Sequence, residues 1–192
     1  MSVVKAARQY RQRFGFVLRV ILAQSRCRNL IIAAALALTA TSGEARVVTD
    51  TFLEAVAQIE SSGGRYTVGD GGRAHGAWQM HAAAWKDTTA YRKRRGEQVW
   101  SYKFAHDATV AKVYARDYLT ILENRLRDAL RHEPTAEMVY AAYNMGFTRF
   151  AGLGFRLEIS PRTTQSACVR LRPVLDELNR SVEKSVVRAA AN

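Results

Sequence analysis

Only three prolines, Pro134, Pro161 and Pro173, occur in the 192 residues, and all three fall late in the chain. Proline breaks helix interiors, so the long proline-free stretch ahead of them is free to be helical wherever apolar residues recur every three or four positions. Thr49 or Asp50 can cap a helix running to about Ser62, where Gly63-Gly64 stops it; Phe52, Leu53, Val56, Ala57 and Ile59 form its apolar stripe. A second helix is expected from Trp78 to about Arg94, closing in the basic run Arg92 to Arg95, which reads as a solvated surface. A long one follows from about His106 to Arg131, with Val110, Val113, Tyr114, Tyr118, Ile121, Leu122 and Leu126 along one side. Thr135 caps another through Tyr143, and Phe147 to Leu153 makes a short turn. Ser160-Pro161 opens further helical sequence, with Pro173 starting or kinking a last helix that ends near Val187. Glycine-rich Arg65 to Gly76 reads instead as an irregular loop or small hairpin. The expected fold is mostly α: a single helical domain with little or no sheet.

Charge divides the chain in two. Residues 1–45 hold seven basic side chains against the single acid Glu44, and Leu30 to Ala40 is an apolar run too short for a bilayer span, which needs roughly 20 residues. Basic residues, then an apolar run, then small residues around Gly43-Glu44-Ala45, is the order of a signal peptide. Residues 1–45 are therefore read as a basic leader and signal peptide, and residues 46–192 as the exported domain, periplasmic or otherwise associated with the cell envelope. Cys27 precedes the apolar run, so no lipid-attachment pattern is present, and Cys168 then stands alone without an intramolecular disulfide. A lone cysteine in a helix is most simply a small buried apolar residue. From Arg46 onward 22 basic residues face 16 acidic ones, an excess that suits an acidic polymer such as bacterial cell wall or nucleic acid.

The most informative residue is Glu60. It lies four residues after Val56 and seven after Leu53, so it shares their core-facing side. A carboxylate there is costly unless a cleft receives it. Three further blocks accompany Ile59-Glu60-Ser61-Ser62-Gly63: Gly76-Ala77-Trp78-Gln79-Met80, Ala141-Ala142-Tyr143-Asn144-Met145-Gly146, and a C-terminal helix with Cys168-Val169. Their order and spacing, from about Thr51 to Leu175, resemble the lytic transglycosylase and goose-type lysozyme-like family. The resemblance implies a lysozyme-like helical domain that cleaves the β-1,4 bond between N-acetylmuramic acid and N-acetylglucosamine in peptidoglycan. By position it makes Glu60 the catalytic acid/base, Ser61 the hydroxyl beside it, Gln79 the glutamine that contacts sugar, and Tyr143 and Asn144 the residues closing the site. Two places depart from the family pattern: Ala77-Trp78 stand where Leu-Met is common, and Cys168 marks the region where a tyrosine is common.

Residue chemistry points to the same glutamate. Protonating a glycosidic oxygen near neutral pH needs a carboxylic acid kept protonated by burial, for which Val56 and Tyr143 are the expected surroundings. Hydrolases normally add a second carboxylate, about 5 Å or about 6.5–9.5 Å away. Asp70, in a Gly-Asp-Gly-Gly turn, and Asp87, on an exposed helical face, are the nearby candidates. If neither takes part, the muramoyl C6 hydroxyl can close on C1 and yield a 1,6-anhydro product with one carboxylate sufficing. The four histidines show no metal-ligand spacing, so no metal is expected, and without a Gly-x-Ser-x-Gly elbow an acyl-transfer hydrolase has no nucleophile signal; no cofactor is expected. The expected partner is the glycan strand, met by a monomer, with no nucleic acid and with membrane contact through the leader alone. The alternatives are a hydrolytic lysozyme-like glycosidase using Glu60 with water, or a non-catalytic basic module binding cell wall or nucleic acid.

Overall fold

The computed structural model describes residues 46–190; the expected leader lies outside the described residues. These form six α-helices: α1 (Asp50–Ser61), α2 (Ala82–Arg94), α3 (Ala108–Leu130), α4 (Ala136–Met145), α5 (Phe147–Gly152) and α6 (Arg162–Ala190). A small antiparallel sheet of three two-residue strands, β1 (Val68–Gly69), β2 (Ala74–His75) and β3 (Met80–His81), separates α1 from α2. Val68 pairs with His75, and His75 with Met80. The domain is mostly α, and the glycine-rich stretch is a hairpin that takes in one more strand.

Thr49 opens α1 by accepting a 3.1 Å hydrogen bond from the Phe52 amide. Ser62, in the left-handed region, closes it: the Ser62 and Gly63 amides return to the carbonyls of Gln58 and Ala57. Between those ends Phe52, Leu53, Ala55, Val56 and Ala57 are buried, and α1 packs chiefly on α6. The core is completed by Tyr114, Leu119, Leu122 and Leu126 of α3, Val139 and Tyr140 of α4, Phe150 of α5 and Leu171 of α6. No helix among the described residues is long and apolar enough to cross a membrane.

Four local expectations are corrected. Trp78 to His81 are not helical, and α2 begins only at Ala82. Positive φ at Gly76 and Gln79 reverses the chain, and Trp78 drops beneath α1, where its indole N–H donates to the Leu53 carbonyl at 2.9 Å. Arg92 is not a solvated surface residue. It is buried, paired with Asp117 and Glu97, bonded to the Gln98 carbonyl at 2.7 Å, and set over the rings of Trp100 and Tyr114. The buried side of α3 runs through Ala111, Tyr114, Ala115, Leu119, Leu122 and Leu126, leaving Val110, Val113, Tyr118 and Ile121 only partly covered. It includes Glu123, whose carboxylate accepts from the Val47 amide at 2.8 Å and meets Arg127. Lastly, Pro173 sits inside one continuous α6. Its ring is exposed and the carbonyl it leaves unbonded belongs to exposed Val169, while Leu171, Val174, Leu175 and Leu178 on the opposite side hold the helix to the core.

Candidate active site

The end of α1 is fixed before any side chain of the site is considered. Ser61 is buried, and its hydroxyl donates toward the Ala57 and Ala77 carbonyls at 3.1 and 2.6 Å while accepting from the Gly64 amide at 2.7 Å. This hydroxyl ties the helix terminus to the hairpin. Glu60, one residue earlier, is half-buried and faces α4.

The Tyr140 hydroxyl donates to Glu60 Oε1 at 2.8 Å, and Asn144, one turn further along α4, hydrogen-bonds the same carboxyl. The orientation of Asn144 is set from α6: the buried Thr164 hydroxyl donates to Asn144 Oδ1 at 2.8 Å. With its oxygen so occupied, the amide presents its NH2 group to Glu60. Burial pushes the Glu60 carboxyl above its ordinary range. Against this act the hydrogen bonds from Tyr140 and Asn144 and, more weakly, the charges of Arg170 and His81. The carboxyl is thus biased toward the acid yet surrounded by groups that steady the anion. The two tyrosines of α4 are held neutral, since burial first and the Glu60 charge second raise both hydroxyls.

Gln79, Met80, His81, Tyr118, Tyr143 and Asn144 line one cavity of about 310 Å³; Glu60 is not part of its lining and meets it only through Asn144. The structure therefore brings Gln79, Tyr143 and Asn144 to one wall. The Gln79 amide donates to the Tyr66 and Gly76 carbonyls at 3.0 and 2.9 Å, bracing the hairpin from within. The Tyr143 hydroxyl donates to the Trp78 carbonyl, and its ring meets that of Tyr118 edge-on at 5.8 Å. Tyr143 thus spans from α4 to the hairpin, and the hydroxyl on Glu60 comes from Tyr140 instead. Tyr140, Thr164, His81 and Arg170 were not anticipated from sequence. A tyrosine inside the otherwise apolar run Val139 to Ala142 was the available signal, because a buried phenol needs a partner.

Asp70 pairs with Arg73 and faces His81 at 3.4 Å at the surface, and Asp87 is exposed on α2. The groups acting on Glu60 are a phenol, an amide, the Arg170 guanidinium and the His81 imidazole, and none is a second carboxylate. Cys168 is buried, its thiol directed to the Glu137 carbonyl and pushed up to about 11, which makes it a packing residue. Among the described residues no cluster of His, Cys, Asp and Glu has the makings of a metal site. Comparison with known proteins adds no parallel: no family model, no curated protein and no solved structure matches the chain. What the site can do must follow from its own side chains.

Proposed function

We propose that this chain is an exported peptidoglycan lytic transglycosylase with a lysozyme-like helical domain. The observation that carries the reading is Glu60: one half-buried carboxyl, raised by burial, at the end of α1 and against Asn144, which lines a cavity with Gln79 and Tyr143. The acid form of Glu60 donates its proton to the glycosidic oxygen, and the bond from that oxygen to C1 of N-acetylmuramic acid breaks. Positive charge then develops at C1, and Glu60 is left as a carboxylate held by Tyr140 and Asn144. The C6 hydroxyl of the same sugar attacks C1 and passes its proton to Glu60, so the acid is regenerated and no water is consumed. One carboxyl that can rest in either form suffices for this sequence. It suits a site in which no second carboxylate acts on Glu60. Gln79 supplies a fixed polar wall, and Ser61 acts by fixing the helix end from which Glu60 projects.

Digestion of purified peptidoglycan by the protein and by Glu60→Gln, read by mass spectrometry, tests the proposal. The expected result is 1,6-anhydro muropeptides from the wild type alone. Reducing-end products, heavier by one water, would make the protein a hydrolytic glycosidase. Absence of products from the wild type would sink the enzymatic reading.

A further inference from the structure

Glu123 stands where a carboxylate is least expected. It shares the buried side of α3 with Leu119, Leu122 and Leu126 and is 1% exposed. A buried carboxylate is costly unless hydrogen bonds and positive charge meet it. Among the described residues its one short bond comes from a neutral donor, the Val47 amide, at 2.8 Å. Arg127 reaches the same oxygen at 3.3 Å, but makes shorter bonds to Glu133, at 2.5 and 2.9 Å, and to Asn124, at 2.8 Å.

The Val47 amide belongs to a strap that ties the start of α1 to α3. The Thr49 amide donates to the Val47 carbonyl at 2.9 Å, Val47 and Val48 pack against the core, and Asp50 pairs with Lys112 and Arg116 of α3. Arg46, immediately before the strap, is exposed. The small residues of the expected signal-peptide cleavage site, Gly43-Glu44-Ala45, directly precede it. When a peptidase cuts the Ala45–Arg46 bond, water adds across it. Ala45 leaves as a carboxylate, and Arg46 keeps an amine that is protonated near neutral pH. That ammonium stands one residue, about 3.8 Å along the chain, from the nitrogen already bonded to Glu123. We propose that the Glu123 carboxylate is the receptor for this ammonium: removal of the leader creates a second cation for the buried acid and clamps the strap, and with it the start of α1, to α3. The inference goes beyond the glycan-cleaving reading and takes from it only export and the cut before Arg46. The uncut chain holds Glu123 by a neutral amide, and the processed chain adds a charge-assisted bond.

The test begins with the full chain, expressed and recovered from the cell envelope. Mass spectrometry should place its N-terminus at Arg46. The α-amine is then acylated at pH 7, and its labelling rate is followed by peptide mapping. Pairing raises the amine above its ordinary value of about 8, so it should label about tenfold more slowly than in Glu123→Gln. Loss of a buried charge can unfold that variant, so a second one leaves Glu123 intact. A glycine inserted between Ala45 and Arg46 stays on the processed chain and moves the ammonium one residue outward. This chain should label about tenfold faster than the wild type and melt about 3 °C lower. Cleavage at another bond, or an α-amine that labels as fast in the wild type as in the glycine-inserted chain, overturns the pairing. Peptidoglycan digestion reads the other claim separately. Anhydro products from a protein with an unprotected amine remove this inference alone. A protected amine in a protein that releases no product removes the enzyme and leaves the pairing standing.

Discussion

Tyr140→Phe removes one oxygen from a side chain that is 1% exposed, and the atom lost is the one 2.8 Å from Glu60. A hydrogen bond to a charged partner is worth about 1.5–3 kcal/mol, and one between neutral groups about 0.5–1.5 kcal/mol. The variant should therefore lose about 2 kcal/mol when Glu60 is ionised and about 1 kcal/mol when it is protonated. Because burial raises Glu60 in the fold, its contribution to stability is fully present below the ordinary carboxyl range and is lost as pH rises through the raised value. Removing a donor that favours the anion deepens that loss, so the damage must grow toward alkaline pH. At about 2–4 °C per kcal/mol for a domain of this size, Tm should fall by about 6 °C at alkaline pH and by about 3 °C at acid pH. The same difference of about 1 kcal/mol makes the Glu60 proton about fivefold harder to remove. The alkaline limb of kcat/KM on peptidoglycan should accordingly move to higher pH. Calorimetric melts across a pH series, paired with carboxyl NMR of labelled glutamate, read both effects. A Tm loss that is the same at every pH, or a Glu60 titration that stays put or moves to lower pH, would refute the coupling of Tyr140 to Glu60.

Three other substitutions probe the supports of the site. Thr164→Val keeps the shape of the side chain but frees the Asn144 amide to turn, at a cost of about 1 kcal/mol; the alkaline limb should rise, Thr164→Ser should restore it, and an unchanged pH profile counts against the role. At Gly69 the backbone is ordinary extended structure, but a Cβ there would lie 2.0 Å from Gln79 Oε1. Gly69→Ala should displace Gln79 and cut activity roughly tenfold to hundredfold while urea denaturation stays within about 1 kcal/mol of wild type. Gly76 has φ +76°, and its Cβ would lie 2.1 Å from the Ala105 carbonyl oxygen; Gly76→Ala should cost about 3 kcal/mol or more, and a loss under about 1 kcal/mol in urea would show that the hairpin yields easily.

The helices were legible wherever local chemistry and burial agreed. Thr49 caps α1 and Gly63-Gly64 follows its end, so both limits could be read, as could Glu60 at the end of the stripe. The first turn expected of α2 failed because Trp78 satisfies its indole on α1, a long-range bond with no periodic trace in sequence. Arg92 was misread for a similar reason: four basic residues in a row look alike, and only folding brings Asp117 and two aromatic rings against one of them. Pro173 obeys its local rule in isolation, but packing on both sides of it outweighs one lost hydrogen bond. The motifs singled out Glu60, Gln79, Tyr143 and Asn144, and the last three share one cavity wall. Tyr140 and Thr164 were not, since their importance lies in which side chain they touch across helices.

The triple engagement of the Ser61 hydroxyl has a consequence for motion. Because one oxygen joins the Ala57 and Ala77 carbonyls and the Gly64 amide, the last turn of α1 and the start of the hairpin form a single rigid corner. Glu60 projects from that corner, so its backbone cannot drift toward or away from the hairpin wall as the protein breathes. Any widening of the cavity then falls to the opposite side, where α4 reaches the hairpin through Tyr143 and the Trp78 carbonyl. The two sides behave as a vice with one fixed jaw, and the fixed jaw is the one that carries Glu60.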